Sequence, residues 1–309
     1  MKNFTLLMII LLSCQVSLAQ ESVSHFQIPT PTGIQIKQDP DIKNLVWNRR
    51  STKNFVILSL NDDQGKYLQS NIENMKDWVS SRWGFLSGDF PKSKFEDNSE
   101  PGCMVLCVPS KDLMKKLFNL DGSYGEVVKD KDGNIEKRVL WLVLDGTPAE
   151  TIPPALTMIC LNQLESDYSY NFGFWAVRGM SVLNSTIPKI KSSLKQVKSE
   201  LEEGNPMFTK NIFSLTEDDY KKLSPQKREV FDGTSAMICL LLRKEFGQKN
   251  LLDFFKNPST EENFKMVYGF QNFDHLNQTF KRYSKNLITD ISNGVTPNSY
   301  LQIMPIKYK

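Results

Sequence analysis

Apolar positions form short strand-like runs up to about residue 150 of this chain, then recur at three- and four-residue steps, as on helices that bury one face. Residues 45–60 read as strand, with Phe55, Val56, Ile57 and Leu58 leading to the turn-forming run Asn61-Asp62-Asp63-Gln64-Gly65. A helix is expected over 65–83, with Leu68, Ile72, Met75 and Val79 on one face and Gly84 as its stop. Residues 104–108 form the next expected strand and 111–118 a short helix. The run 125–128 pairs with 138–144 across a hairpin at 129–134, where Asp132-Gly133 supplies the positive backbone angles of a tight turn. After Pro153 the pattern is helical. Helices are expected over 154–168, with Thr151 as N-cap and prolines in the first turn, over 174–183, and in a charged stretch through 203. The best-patterned helix covers 229–246, with Met237, Ile238, Leu241 and Leu242 inward and Gly247 as its stop, and two more cover 251–255 and 276–289. The expected fold class is therefore α+β, a β-rich N-terminal lobe over 45–150 followed by a mainly helical lobe over 151–291 and a tail over 292–309.

The front of the chain changes where this fold is expected to work. Residues 1–19 read as an export signal, with Lys2, an apolar run over 4–12, and the small-residue exit Ser17-Leu18-Ala19. Leu11-Leu12-Ser13-Cys14 offers a competing lipobox, with Cys14 as the lipidated residue. Residues 20–44, containing Pro29, Pro31 and Pro40, are expected to form an extended leader or tether. No later run is apolar enough to span a bilayer, so after signal removal no transmembrane segment is expected. The expected location is outside the cytoplasm: periplasmic, secreted or lipid-anchored at the cell envelope.

Charge and cysteine usage narrow the chemistry. The formal net charge is +3, and loss of Lys2 with the signal lowers it by one. That balance, with lysines spread among acids, implies no nucleic-acid partner. Cys103 and Cys107 lie on one face of a strand about 13 Å apart, too far for a mutual disulfide, and with Cys160 and Cys239 they read as buried free thiols. The acids of 129–134 lack the frame and the bidentate glutamate of a calcium loop. The chain holds only 2 histidines, His25 and His275. Neither is near the helix most suggestive of a site.

That helix and the next run Leu-Asn-Gln-Leu-Glu-Ser from Leu161 and Trp-Ala-Val-Arg-Gly-Met-Ser from Trp175. The pair resembles the His-Glu-x-x-His helix and the later Trp-x-x-Glu-Gly-x-Ala helix of gluzincin-type zinc metallopeptidases, the peptidase MA-like group. The order of features agrees: Trp47 to Ser51, a strand, a helix ending Arg82-Trp83-Gly84, hairpins, the two motif helices, then Gly233-Thr234-Ser235-Ala236 opening an apolar helix. The likeness covers roughly residues 45–290. It places Asn162 and Ser166 at the two zinc histidines, Gln163 at the catalytic glutamate and Arg178 at the third ligand. Asn162 and Ser166 are poor zinc ligands, Gln163 cannot take a proton from water near neutral pH, and Arg178 sets a fixed cation where a ligand belongs. The resemblance thus implies a gluzincin-like fold with a lost zinc motif and an inactive protein, without metal or other cofactor. Arg178 then needs a buried acid, Glu165 or another, as partner. Tyr168, Tyr170, Phe174 and Trp175, with Phe172, are expected to line any retained cleft for a peptide, protein or envelope component.

Two other classes stay open. A hydrolase using another mechanism needs a nucleophile beside His275, yet no Gly-x-Ser-x-Gly elbow is present and Gly233-Thr234-Ser235 does not supply one. A structural envelope lipoprotein would use Cys14 and the proline-containing leader as anchor and spacer.

Overall fold

The structure, a computed structural model, describes residues 22–23, 45–84, 88–91, 102–132, 134–146, 148–202 and 211–293. The expected signal, Cys14, His25, most of the leader and nearly all of the tail lie outside them. The protein is α+β.

Its centre is a six-stranded mixed sheet in the order β1-β2-β3-β4-β6-β5. The strands are β1 (Ser22–Val23), β2 (Trp47–Ser51), β3 (Phe55–Ser59), β4 (Cys103–Val108), β5 (Tyr124–Lys129) and β6 (Ile135–Val143). The single strand-like run expected over 45–60 is two strands, because the chain turns at Thr52, whose amide bonds to the Phe55 carbonyl at 2.9 Å. Strands β3, β4 and β6 run parallel, with Ile57 beside Val105 and Val105 beside Leu140. Strands β2 and β5 pair antiparallel at their flanks. Every residue of β3 and β4 is buried, as in strands covered on both faces.

Two helices cover one face and a third covers the other. Phe55, Ile57, Val105 and Leu140 meet Leu68, Ile72 and Met75 of α1 (Asp62–Arg82) and Ile152, Leu156 and Ile159 of α3 (Pro148–Tyr168). Leu58, Leu106 and Trp141 point the other way, onto Met114, Leu117 and Phe118 of α2 (Lys111–Phe118). α1 begins at Asp62 rather than 65, since Asn61 accepts the Gln64 amide at 3.1 Å as N-cap and two acids fill the first turn. α3 likewise starts earlier than expected, at Pro148, with Pro153 and Pro154 inside it.

α3 also packs on α4 (Phe174–Leu183), which brings the sheet into contact with the helical half. There α4 and α5 (Ile187–Glu202) pack on α8 (Pro225–Phe254), with α9 (Glu261–Tyr268) and α10 (Phe273–Ser292) around them. α8 begins at a Ser224 cap with Pro225 in its first turn. Gly247 does not end it outright. At φ 81° it breaks the helical path, and the chain resumes helix immediately. Three helices were not expected: α6 (Asn211–Ser214), α7 (Glu217–Lys222) and α9. Among the described residues no helix is long and apolar enough to cross a membrane.

Candidate functional site

The last two turns of α3, the link after it and the whole of α4 hold the residues singled out above. Gln163 is buried, and its Oε1 accepts from Arg138 Nε at 2.5 Å. Arg138, on β6, also donates through Nη1 to the carbonyls of Pro91 (3.2 Å) and Gly102 (3.3 Å), and its guanidinium lies 5.6 Å from the Phe90 ring. A buried guanidinium is tolerated when its protons meet acceptors and its face meets an aromatic ring. Gln163 therefore spends its carbonyl on fastening α3 to the sheet.

Asn162 is half-buried on the preceding position. Ser166 and Tyr168 lie in the final turn of α3, and their side chains fall outside the described ones. Glu165 accepts the Phe172 amide at 3.1 Å and stands 4.0 Å from Lys129. Burial raises its carboxyl above the usual range, and Lys129 and the Phe172 amide only partly offset that.

Arg178 projects from α4 toward α8. Its Nε and Nη2 grip Asp232 in a bidentate pair at 2.9 and 2.6 Å, and Nη2 also donates to the Tyr220 hydroxyl at 2.8 Å. Tyr220 in turn donates to Asp232 Oδ2 at 3.0 Å, closing a triangle. The partner of Arg178 is thus Asp232, not Glu165. Burial works against the guanidinium charge, yet the Asp232 charge and hydrogen bonds more than offset it and hold Arg178 above its ordinary value. Tyr220 is pushed up, by burial first and by Asp232 besides, which keeps its proton available for donation. The ring also stacks beneath Arg178 at 4.7 Å. On the same short helix, Glu217 accepts from Tyr124 of β5 at 2.7 Å, so α7 is tied to the sheet as well as to α4 and α8.

The aromatic residues divide. Trp175 is fully buried, with Nε1 on Ser259 Oγ at 3.1 Å and its ring edge-on to Phe213, so it is core rather than the wall of a cleft. Phe174 is half-buried against Tyr220 and Phe231, and Tyr170 is half-buried and stacked on Phe172. Asn184, not singled out from sequence, joins three elements: it accepts from Trp83 Nε1 at 3.3 Å and donates to Thr157 Oγ1 at 2.7 Å. Its position just past α4 carried no motif signal.

These side chains do not fit a catalytic zinc ion. An amide held by an arginine and a guanidinium neutralised by an aspartate offer no ligand set, and α3 and α4 have no histidine to add. Among the described residues no group of three or more His, Cys, Asp or Glu side chains could hold a metal. Ser235 and His275 are not brought together either. Ser235 is fully buried within α8 with an unpartnered hydroxyl, while His275 is exposed on the first turn of α10, its Nδ1 accepting from the Gln271 amide at 3.4 Å. The segment around Ser235 is helix interior, not a strand-to-helix elbow. No family model matches the sequence, and no curated protein matches it closely enough to count as a relative.

Proposed function

We propose that this is an exported, catalytically inactive relative of gluzincin-type peptidases that works by binding a peptide, protein or envelope component. The observation that carries the reading is the fate of the two positions that chemistry would require. At the general-base position, Gln163 is spent on Arg138, and at the third-ligand position, Arg178 is spent on Asp232 and Tyr220. Each is built into the scaffold, so neither is waiting for a metal. A mixed sheet followed by two packed helices that carry these positions agrees with that reading. The export signal read from residues 1–19 supports a binding role outside the cytoplasm, with Cys14 as the residue for a lipid tether.

The deciding experiment is elemental analysis of the purified mature protein together with a peptide-hydrolysis screen, with and without chelator. The expected result is no stoichiometric zinc and no hydrolysis. Zinc at one per chain with chelator-sensitive hydrolysis overturns the reading.

A further inference from the structure

α5 and α10 pack on each other, with Ile190, Leu194 and Val197 of the first and Leu276, Phe280 and Leu287 of the second turned inward. Along their middle stretches the charged residues are of one sign, the acids standing toward the ends, at Glu200 and Glu202 of α5 and at Asp274 and Asp290 of α10. Over residues 187–199 α5 holds Lys189, Lys191, Lys195 and Lys198 and no acid, and over 275–289 α10 holds Lys281, Arg282 and Lys285 and no acid. All are exposed except the half-buried Lys191. Lys189, Lys191, Lys195, Lys281, Arg282 and Lys285 form no ion pair among the described residues. Several lysines elsewhere on the surface are matched with acids, as in Lys53–Asp89, Lys66–Asp62, Lys115–Asp121 and Lys256–Asp253, each at 2.7 Å.

The chain as a whole is nearly balanced, with 38 Lys and Arg against 35 Asp and Glu. The expectation that its lysines are spread among acids does not hold along the middle of these two helices. Lys191 and Lys195, and again Lys281 and Lys285, stand one turn apart, a spacing that disfavours a helix when both members are cations. A nearby anionic surface relieves that repulsion.

We propose that the α5 and α10 face docks on an anionic phospholipid surface, independently of the reading of the motif helices. All but one of the cations are lysines, compact point charges on flexible stems that suit a diffuse field of headgroups. Base reading or strand binding would call for arginine forks and aromatic stacking among the cations. The exposed large hydrophobic residues among those described, Val46 and Met266, lie on neither helix, so the contact is electrostatic and without insertion. It follows that binding weakens steeply with salt.

The test is sedimentation of the full mature chain with vesicles of phosphatidylcholine alone or mixed with phosphatidylglycerol, at low and high salt. Binding is expected only to the anionic vesicles at low salt. The triple variant Lys195→Gln, Lys281→Gln, Lys285→Gln should bind about a hundredfold more weakly, from roughly a fivefold contribution per lysine near such a surface. A control with the same loss of charge, Lys53→Gln, Lys115→Gln, Lys256→Gln, should bind as the parent does, and thermal melts check that both variants fold. Equal binding to neutral vesicles, an equal loss in the control, or tighter binding to duplex DNA than to anionic vesicles overturns the proposal.

Discussion

Arg138 and Gln163 meet where the sheet joins the third helix, the arginine Nε donating to the glutamine carbonyl at 2.5 Å in a setting closed to solvent. Removing the acceptor strands part of a buried cation, which costs more than the bond itself contributes. Gln163→Leu, which keeps the bulk, should lower stability by about 1–3 kcal/mol, read as a shift in urea midpoint. Gln163→Glu retains the acceptor and adds a charge pair, so it should fold at least as stably as the parent near neutral pH. It should still hydrolyse nothing, since a carboxylate without metal ligands around it has no activated water to serve.

The Arg178–Asp232 pair is less sheltered, with side chains 23% and 14% exposed. Loss of one partner from a fully buried pair costs several kcal/mol, and partial exposure reduces that, so Asp232→Ala should cost about 2 kcal/mol. Tyr220 bonds to both members. A double-mutant cycle between Asp232→Ala and Tyr220→Phe in chemical denaturation should therefore be non-additive, and strict additivity would mean the triangle does not act as a unit.

How far all this could be read in advance depended on the range of the interaction. β3, β4 and α4 were legible because periodicity and burial are encoded within a few residues, as in the apolar run at 104–108 that is buried throughout in β4. α7 was not, since Glu217–Lys222 has no buried residue and is held by its Thr216–Asp219 capping box and by distant contacts through Glu217 and Tyr220. That Arg178 needed an acid followed from electrostatics. That the acid is Asp232, 54 residues on, depends on how α4 lies along α8. The basic face of α5 and α10 was hidden for the same reason, because whole-chain charge averages over surfaces that folding separates.

Glu165 gives a pH signature. Burial raises its folded-state pKa above the unfolded value, so the native state holds this proton more tightly than the unfolded chain. Its contribution therefore declines as pH rises from the ordinary carboxylate range through the folded-state pKa, and stays at its lowest above that. Glu165→Gln preserves an acceptor for the Phe172 amide. Urea titrations across acidic to neutral pH should show that decline flattened in the variant, and an unchanged slope would mean the carboxyl titrates as it does in the unfolded chain.

The four described thiols are free and buried, at Cys103, Cys107, Cys160 and Cys239. Burial pushes Cys160 up to about 11 and Cys107 up to about 12, with the other two raised further. A thiol reacts through its thiolate, so these are both inaccessible and protonated near neutral pH. An aromatic disulfide reagent should label none of them in the native protein and all four in urea. Fast native labelling of any one would mean that part of the core opens readily.

Gly179 occupies the motif of α4 beside Arg178, and its role is steric. A Cβ built there would stand 2.5 Å from the Ser235 carbonyl oxygen and 2.9 Å from the Ala236 nitrogen, both backbone atoms of α8 that cannot swing aside. The close approach it permits is also what sets Arg178 against Asp232, since the two residues lie just before Gly179 and Ser235 on facing helices. Gly179→Ala normally favours a helix by about 1 kcal/mol through propensity. Here the forced separation of α4 and α8 should outweigh that gain and leave a net loss of roughly 1–3 kcal/mol. The variant should also weaken the coupling between Arg178 and Asp232 in a double-mutant cycle, because the helix that carries the arginine is pushed away. A Gly179→Ala protein as stable as the parent, with that coupling intact, would show that the helices can part without disturbing the pair.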